Sequence, residues 1–63
     1  MTRLYDVAFM LDWWGVPYLV IIHRIEDGRA CVSEVMKNGD HCGLSRRVQP
    51  DKLFGHHTAE LLA

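Results

Sequence analysis

Histidine and cysteine are the residues of this 63-residue chain best suited to chemistry: His41-Cys42 and His56-His57 stand as adjacent pairs, with His23 and Cys31 upstream. Imidazole and thiolate are zinc donors, but zinc needs four of them converging tetrahedrally, and its motifs usually separate ligands by two to five residues. Adjacent side chains diverge instead. On a strand they point to opposite faces, and on a helix they lie about 100° apart. No convergent set of four emerges, so neither a metal nor any other cofactor is expected. A different chemistry arises if His23, Glu34 and His41 share one sheet face, each a diagonal step from the next. A carboxylate between two imidazoles can orient one of them as a general base. The plainer alternative is a solvent-facing charge pair between Glu34 and one histidine. No nucleophile or oxyanion donor accompanies the trio, and the chain is expected not to be an enzyme.

The elements that would position these residues are read from periodicity and turn signals. Leu4, Val7, Ala8 and Leu11 recur at three- and four-residue spacing, which predicts a helix from about Arg3 to Trp14, capped by Thr2 and stopped by Gly15 and Pro17. A buried strand through Val7 to Leu11 is the competing assignment. "PYLVIIHRIEDGRACVSEVMKNGD" then places β-branched residues around Asp27-Gly28 and Asn38-Gly39, two dipeptides that supply the positive φ of tight hairpin turns. A three-stranded antiparallel meander follows. Its register pairs Glu26 with Arg29, Ile25 with Ala30, His23 with Val32 and Ile21 with Glu34, and beyond the second turn Lys37 with Asp40, Met36 with His41 and Val35 with Cys42. After Leu44 the pattern turns helical again, with Pro50 suited to a first turn and Leu53, His57, Glu60 and Leu61 at helical spacing. A short turn through Phe54 before a helix from about Thr58 is equally consistent. The expected fold is α+β in the order α-β-β-β-α.

In order and length only, this arrangement resembles the double-stranded-RNA-binding domain and the small HicA-like toxins. The first resemblance implies a cationic cluster opening the second helix, where "LSRRVQPDKL" offers Arg46, Arg47 and Lys52 with Asp51 among them. The second implies a strand histidine in a glycine-rich context, whereas "FGHHTAE" lies outside the predicted sheet. Neither resemblance assigns a family.

The predicted register sorts residues onto two faces. One carries Tyr18, Val20, Ile22, Cys31, Ser33, Val35, Cys42 and Leu44, the expected core beneath the N-terminal helix. The other carries Leu19, Ile21, Ile25, Val32 and Met36, interrupted by His23, Glu34 and His41. That second face is apolar enough to want a cover. Trp13-Trp14 cannot both be buried on one helix of so small a domain, so at least one indole is expected at the surface, beside this face.

Composition sets the remaining bounds. A chain of this length forms one domain, residues 1–63, and buries only about 60% of its unfolded surface, which leaves little room for an enclosed active site. Hydrophobic residues at 49% and charged residues at 24% suit a folded chain. A formal net charge of −1 provides no bulk cationic field for nucleic acid. No apolar run approaches the length of a membrane span, no leader pattern opens the chain, and two cysteines make no disulfide framework, so a soluble, cytoplasmic protein is expected. The function expected from these features is a small regulator or inhibitor. It would bind a protein partner, or a second copy of itself, through Trp13, Trp14, Leu19, Ile21, Val32 and Met36. A nucleic-acid-binding module using Arg46, Arg47 and Lys52 is the alternative reading, followed by a small hydrolytic enzyme or toxin using His23, Glu34 and His41.

Overall fold

The computed structural model describes residues 1–36 and 45–62. Among these residues are five strands, β1 (Thr2–Leu11), β2 (Pro17–Glu26), β3 (Arg29–Glu34), β4 (Arg46–Val48) and β5 (Phe54–Leu62), with a 3-10 turn at Pro50–Lys52. All neighbours pair antiparallel, in the order β4-β3-β2-β1-β5.

The expected α+β fold is therefore corrected to an all-antiparallel sheet. The segment expected as an N-terminal helix from Arg3 to Trp14 is mostly β1, and the expected C-terminal helix is β5. The first error has a physical cause. Val7, Ala8 and Met10 are all buried because β1 lies inside the sheet with apolar neighbours on both faces, and a strand buried on both sides loses the alternation that marks half-buried strands. What remained by chance was helical spacing. At the C-terminus the spacing of Leu53, His57, Glu60 and Leu61 is helical although β5 is a largely exposed edge strand, and Pro50 does open a helical turn, of the 3-10 kind.

The Asp27-Gly28 turn forms as expected. Both residues take positive φ, 53° and 73°, the signature of the tight turn that matches strand twist. Glu26 opposes Arg29 and Ile25 opposes Ala30, in the predicted register. The register then breaks at His23: Arg24 pairs with Cys31, but Ile22 pairs with Val32, Ile21 with Ser33 and Val20 with Glu34. One extra residue in β2 is a β-bulge, and beyond it every β3 side chain changes face relative to β2. The expected pairs His23 with Val32 and Ile21 with Glu34 are therefore displaced by one. The Asn38-Gly39 turn and its predicted pairs fall on residues outside those described.

The bulge builds the core. Ala8, Met10, Val20, Ala30, Val32 and Leu53 form one buried cluster, with Tyr18, Ile22 and Val48 packed against it. We call this the inner face. Val32 belongs to it, not to the second face where the unbulged register put it, while Cys31 and Ser33 turn outward with Ile21 and Leu19. On the outer face Val7, Ile21, Cys31 and Ser33 are also buried. The ring of Phe9 covers part of that face, lying 6.0 Å from the Phe54 ring and stacked 5.8 Å from His57.

A second bulge fits β5 to β1. Val7 opposes His57 and Phe9 opposes Phe54, so Gly55 and His56 together face Ala8. Gly55 adopts φ +65°, and a Cβ there would stand 2.9 Å from Cδ2 of Phe9. Gly15, at φ +78°, has open space where its Cβ would be. Positive φ costs a non-glycine residue roughly 1–2 kcal/mol, and crowding a packed ring adds about 1–3 kcal/mol. Gly55→Ala is therefore expected to destabilise the domain by about 2–5 kcal/mol and Gly15→Ala by about 1–2 kcal/mol. Urea unfolding of the two variants checks this, and equal losses would mean that the Phe9 ring is not held in place.

Candidate functional site

The two tryptophans sit at the tip of the β1–β2 hairpin. Asp12 and Gly15 are the ends of a four-residue turn, closed by the Gly15 amide donating to the Asp12 carbonyl at 3.0 Å. Trp13 and Trp14 are its central residues, and neither takes positive φ while Gly15 does. This is the type I turn followed by a left-handed glycine that joins strands through a slightly longer loop. The Asp12 carboxylate fixes it from inside: one oxygen accepts from the amides of Trp14 at 2.9 Å and Val16 at 2.8 Å. The Asp12 amide donates to the Val16 carbonyl at 2.9 Å. A backbone so fully bonded holds both indoles outward, where Trp13 is 92% exposed and Trp14 82%.

Shallow hollows flank this tip. One is lined by Met10, Leu11, Trp13, Tyr18, Glu34 and Arg46. Within it Arg46 donates from Nη2 to the Tyr18 hydroxyl, and its guanidinium carbon lies 5.9 Å from the ring centroid, within cation–π range. The other, of about 550 Å³, is lined by Met10, Leu11, Asp51, Lys52 and Phe54 and is mainly apolar. Leu11 and Phe54 are both exposed. Indole rings, Tyr18 and these apolar side chains thus make one aromatic end of the sheet.

The other anticipated site residues disperse. Ile21 and Val32 are 1% and 0% exposed and lie on opposite faces, so neither offers contact area. Leu19 is half-buried on the outer face, and Met36 is exposed. His23, at the bulge, shares a 2.7 Å hydrogen bond between its Nε2 and Ser33 Oγ, on the outer side, whereas Glu34 pairs with Val20 on the inner side. The polar trio is thus not assembled by these two members, and His41 falls outside the described residues. Arg46 and Arg47 alternate to opposite sides of β4, opposing Val32 and Cys31; Lys52 lines a different hollow from Arg46, together with Asp51. His56 and His57 likewise alternate on a strand. Among the described residues no group of histidine, cysteine, aspartate or glutamate could hold a metal ion, and Cys31 is a buried free thiol.

Sequence reasoning missed Tyr18 and Arg46 as a pair, since their contact crosses β3. It also missed that "DWWG" is a turn, although aspartate at the first position and glycine at the fourth are a recognised signal for one. Elsewhere an exposed ion pair is perturbed: Arg24 Nε donates to Glu26 at 2.7 Å. That hydrogen bond, with the charges of Arg24 and Arg47, holds the Glu26 carboxyl below its ordinary range; the same bond, with the charges of Cys31 and Glu26, raises Arg24. Because the folded-state value of Glu26 is lowered, its contribution to stability is present above the unfolded carboxylate value and is lost as pH falls through the folded one. Arg24→Ala is expected to return Glu26 towards its ordinary value and to remove that part of the acid dependence. NMR titration of the Glu26 side chain checks it; an unchanged midpoint would show that the pair does not persist in solution.

No protein-family model, curated protein or solved structure matches this chain.

Proposed function

We propose that this protein is a small non-enzymatic interaction module that binds a protein partner through the aromatic hairpin tip, with Trp13 and Trp14 as the anchoring side chains. The observation that carries this reading is the exposure of both indoles, 92% and 82%, on a turn whose backbone is bonded from inside by Asp12. Tryptophan is enriched among the few residues that dominate binding energy, and anchors held rigid before binding lose little conformational entropy on docking. The apolar hollow beside Leu11 and Phe54 supports the same end of the sheet as the docking surface. Leu19, half-buried, and Met36 can contribute only at its margin.

Support for the nucleic-acid reading weakens with the placement of the cations. A phosphate-binding patch needs several on one surface, whereas Arg46 and Arg47 alternate to opposite sides of β4 and Lys52 has Asp51 beside it. A regulator working inside the cytoplasm fits a chain whose Cys31 is a buried free thiol. Among the described residues no helix is long and apolar enough to cross a membrane.

The test compares affinity capture from extract of the source cells by the wild type and by Trp13→Ala/Trp14→Ala. Each substitution is at an exposed turn position, so the fold should be retained by circular dichroism. One protein is expected in stoichiometric yield with the wild type and absent with the double variant, and its affinity should fall by about 30-fold or more per tryptophan if each anchor contributes about 2 kcal/mol. An identical set of captured proteins, or capture of nucleic acid alone in a salt-sensitive manner, would overturn the reading.

A further inference from the structure

The two edges of the sheet are built differently. β4 is three residues long and carries two arginines, Arg46 and Arg47. Short, charged edges resist pairing with another chain. β5 is nine residues long, contains neither proline nor lysine, and has Glu60 as its single acid. It pairs with β1 on one side, and among the described residues no strand pairs with it on the other. Such an edge presents a row of backbone donors and acceptors to any extended segment that fits.

We infer that β5 pairs antiparallel with β5 of a second copy of this chain, about a twofold axis at Thr58, so that His56 of each copy opposes Glu60 of the other. Symmetry limits the choice. A twofold axis perpendicular to a continuous sheet leaves each side chain on its own face, and opposed residues must share a face. The self-opposed residue is then one of those near the middle of the strand. Centring on Glu60 would set two carboxylates against each other. Centring on His57 or Ala59 leaves Glu60 opposite Phe54 or Thr58. Only Thr58 at the centre places the acid opposite an imidazole, and does so twice, in a regular ladder from His56 to Glu60 that ends at the Gly55 bulge.

The faces agree with this register. His56 is one step along the strand from outward-facing His57 and so takes the inner side with Thr58, and Glu60 lies on that side too, accepting a hydrogen bond from the Thr2 hydroxyl through Oε1. An imidazole N–H of His56 can donate to the remaining carboxylate oxygen of the opposed Glu60. On the outer face Ala59 would meet His57, whose Nδ1 already donates to the Gly55 carbonyl at 2.6 Å and whose ring stacks on Phe9. The pairing leaves the hairpin tips, with Trp13 and Trp14, free at opposite ends of a ten-stranded sheet, so it does not depend on what the tips bind.

Sedimentation of the full chain at micromolar concentration is expected to show a dimer. Glu60→Lys should weaken it by about tenfold or more, because each change counts twice across the axis. Adding His56→Glu to Glu60→Lys should restore it, which a mere loss of folding would not allow. In a Cys42→Ser background, mild oxidation should cross-link Thr58→Cys as a dimer, and His57→Cys and Ala59→Cys far less, since only a self-opposed residue brings its Cα within disulfide range of about 4.4–6.8 Å. A monomer at every concentration, a dimer indifferent to Glu60→Lys, or preferential cross-linking at position 57 or 59 would overturn the inference. So would a wild-type monomer whose β5 edge is protected from amide exchange only by a strand of a different protein.

Discussion

The rest of the structure depends on the return of the chain from β4 to β5. These strands lie at opposite edges of the sheet, yet only Gln49 to Leu53 connect them, three of those five residues wound in a 3-10 turn. At roughly 2 Å per 3-10 residue and 3.4 Å per extended one, the connection reaches about 16 Å. Five flat strands spaced about 4.8 Å apart would put their edges about 19 Å apart. The sheet must therefore coil until its edges approach. Leu53, at the end of the turn, is buried against Ala8, Met10, Val20, Ala30 and Val32, where it caps the inner face that the coiling encloses. Pro50, at the first position of the turn, fixes φ where the chain must change direction.

Coiling explains why bulges fall where they do. A bulge increases local twist and bends its strand. One lies in β2 at His23 and one in β5 at Gly55 and His56. Both also change which side chains meet. The first turns Ser33 outward to His23 and brings Val32 under Leu53. The second brings Phe9, Phe54 and His57 together on the outside. A single layer of sheet cannot bury both faces against another layer, and these rings, lying along the sheet, shield part of the outer side, where Val7 and Ile21 are buried.

How much of this was legible in the sequence follows from the range over which each feature is decided. Asp27-Gly28 is a local choice, made by two residues that tolerate positive φ, and its turn and flanking pairs were read correctly. Pro50 as the start of a turn is local as well. The His23 bulge is not, because nothing in "IIHRI" marks an extra residue; it is selected by the need to place Val32 and Ala30 under Leu53, a contact some twenty residues away in sequence. The face assignments built on an unbroken register failed with it, and with them the supposed meeting of His23 and Glu34. β1 and β5 were hidden by other effects. In β1 apolar residues occupy both parities, as burial on two sides requires, and period-two alternation is then absent, whereas β5 is a largely exposed edge strand with no buried face to mark an alternation. At the hairpin tip the legible signal was "DWWG", an aspartate and a glycine at turn positions, which the helical spacing of Leu4, Val7 and Leu11 overrode.

The placement of the tryptophans runs against what folding alone would favour. A tryptophan side chain offers on the order of 150–250 Å² of surface for burial, which at about 25 cal/mol per Å² would contribute about 4–6 kcal/mol each. That is comparable with the entire stability of a small domain. Yet the core is closed by valine, alanine, methionine and leucine, and the outer face by phenylalanine and histidine, while the two largest side chains stand in water on a turn held by four internal hydrogen bonds. Neither lacks an interior position for want of reach, since β1 and β2 start from the residues flanking that turn and run through the core. Asp12, by accepting from two amides of the turn, holds the exposed arrangement in place. The energy that burial of Trp13 and Trp14 would release is thus withheld from folding, and it is this energy on which the proposed docking would draw.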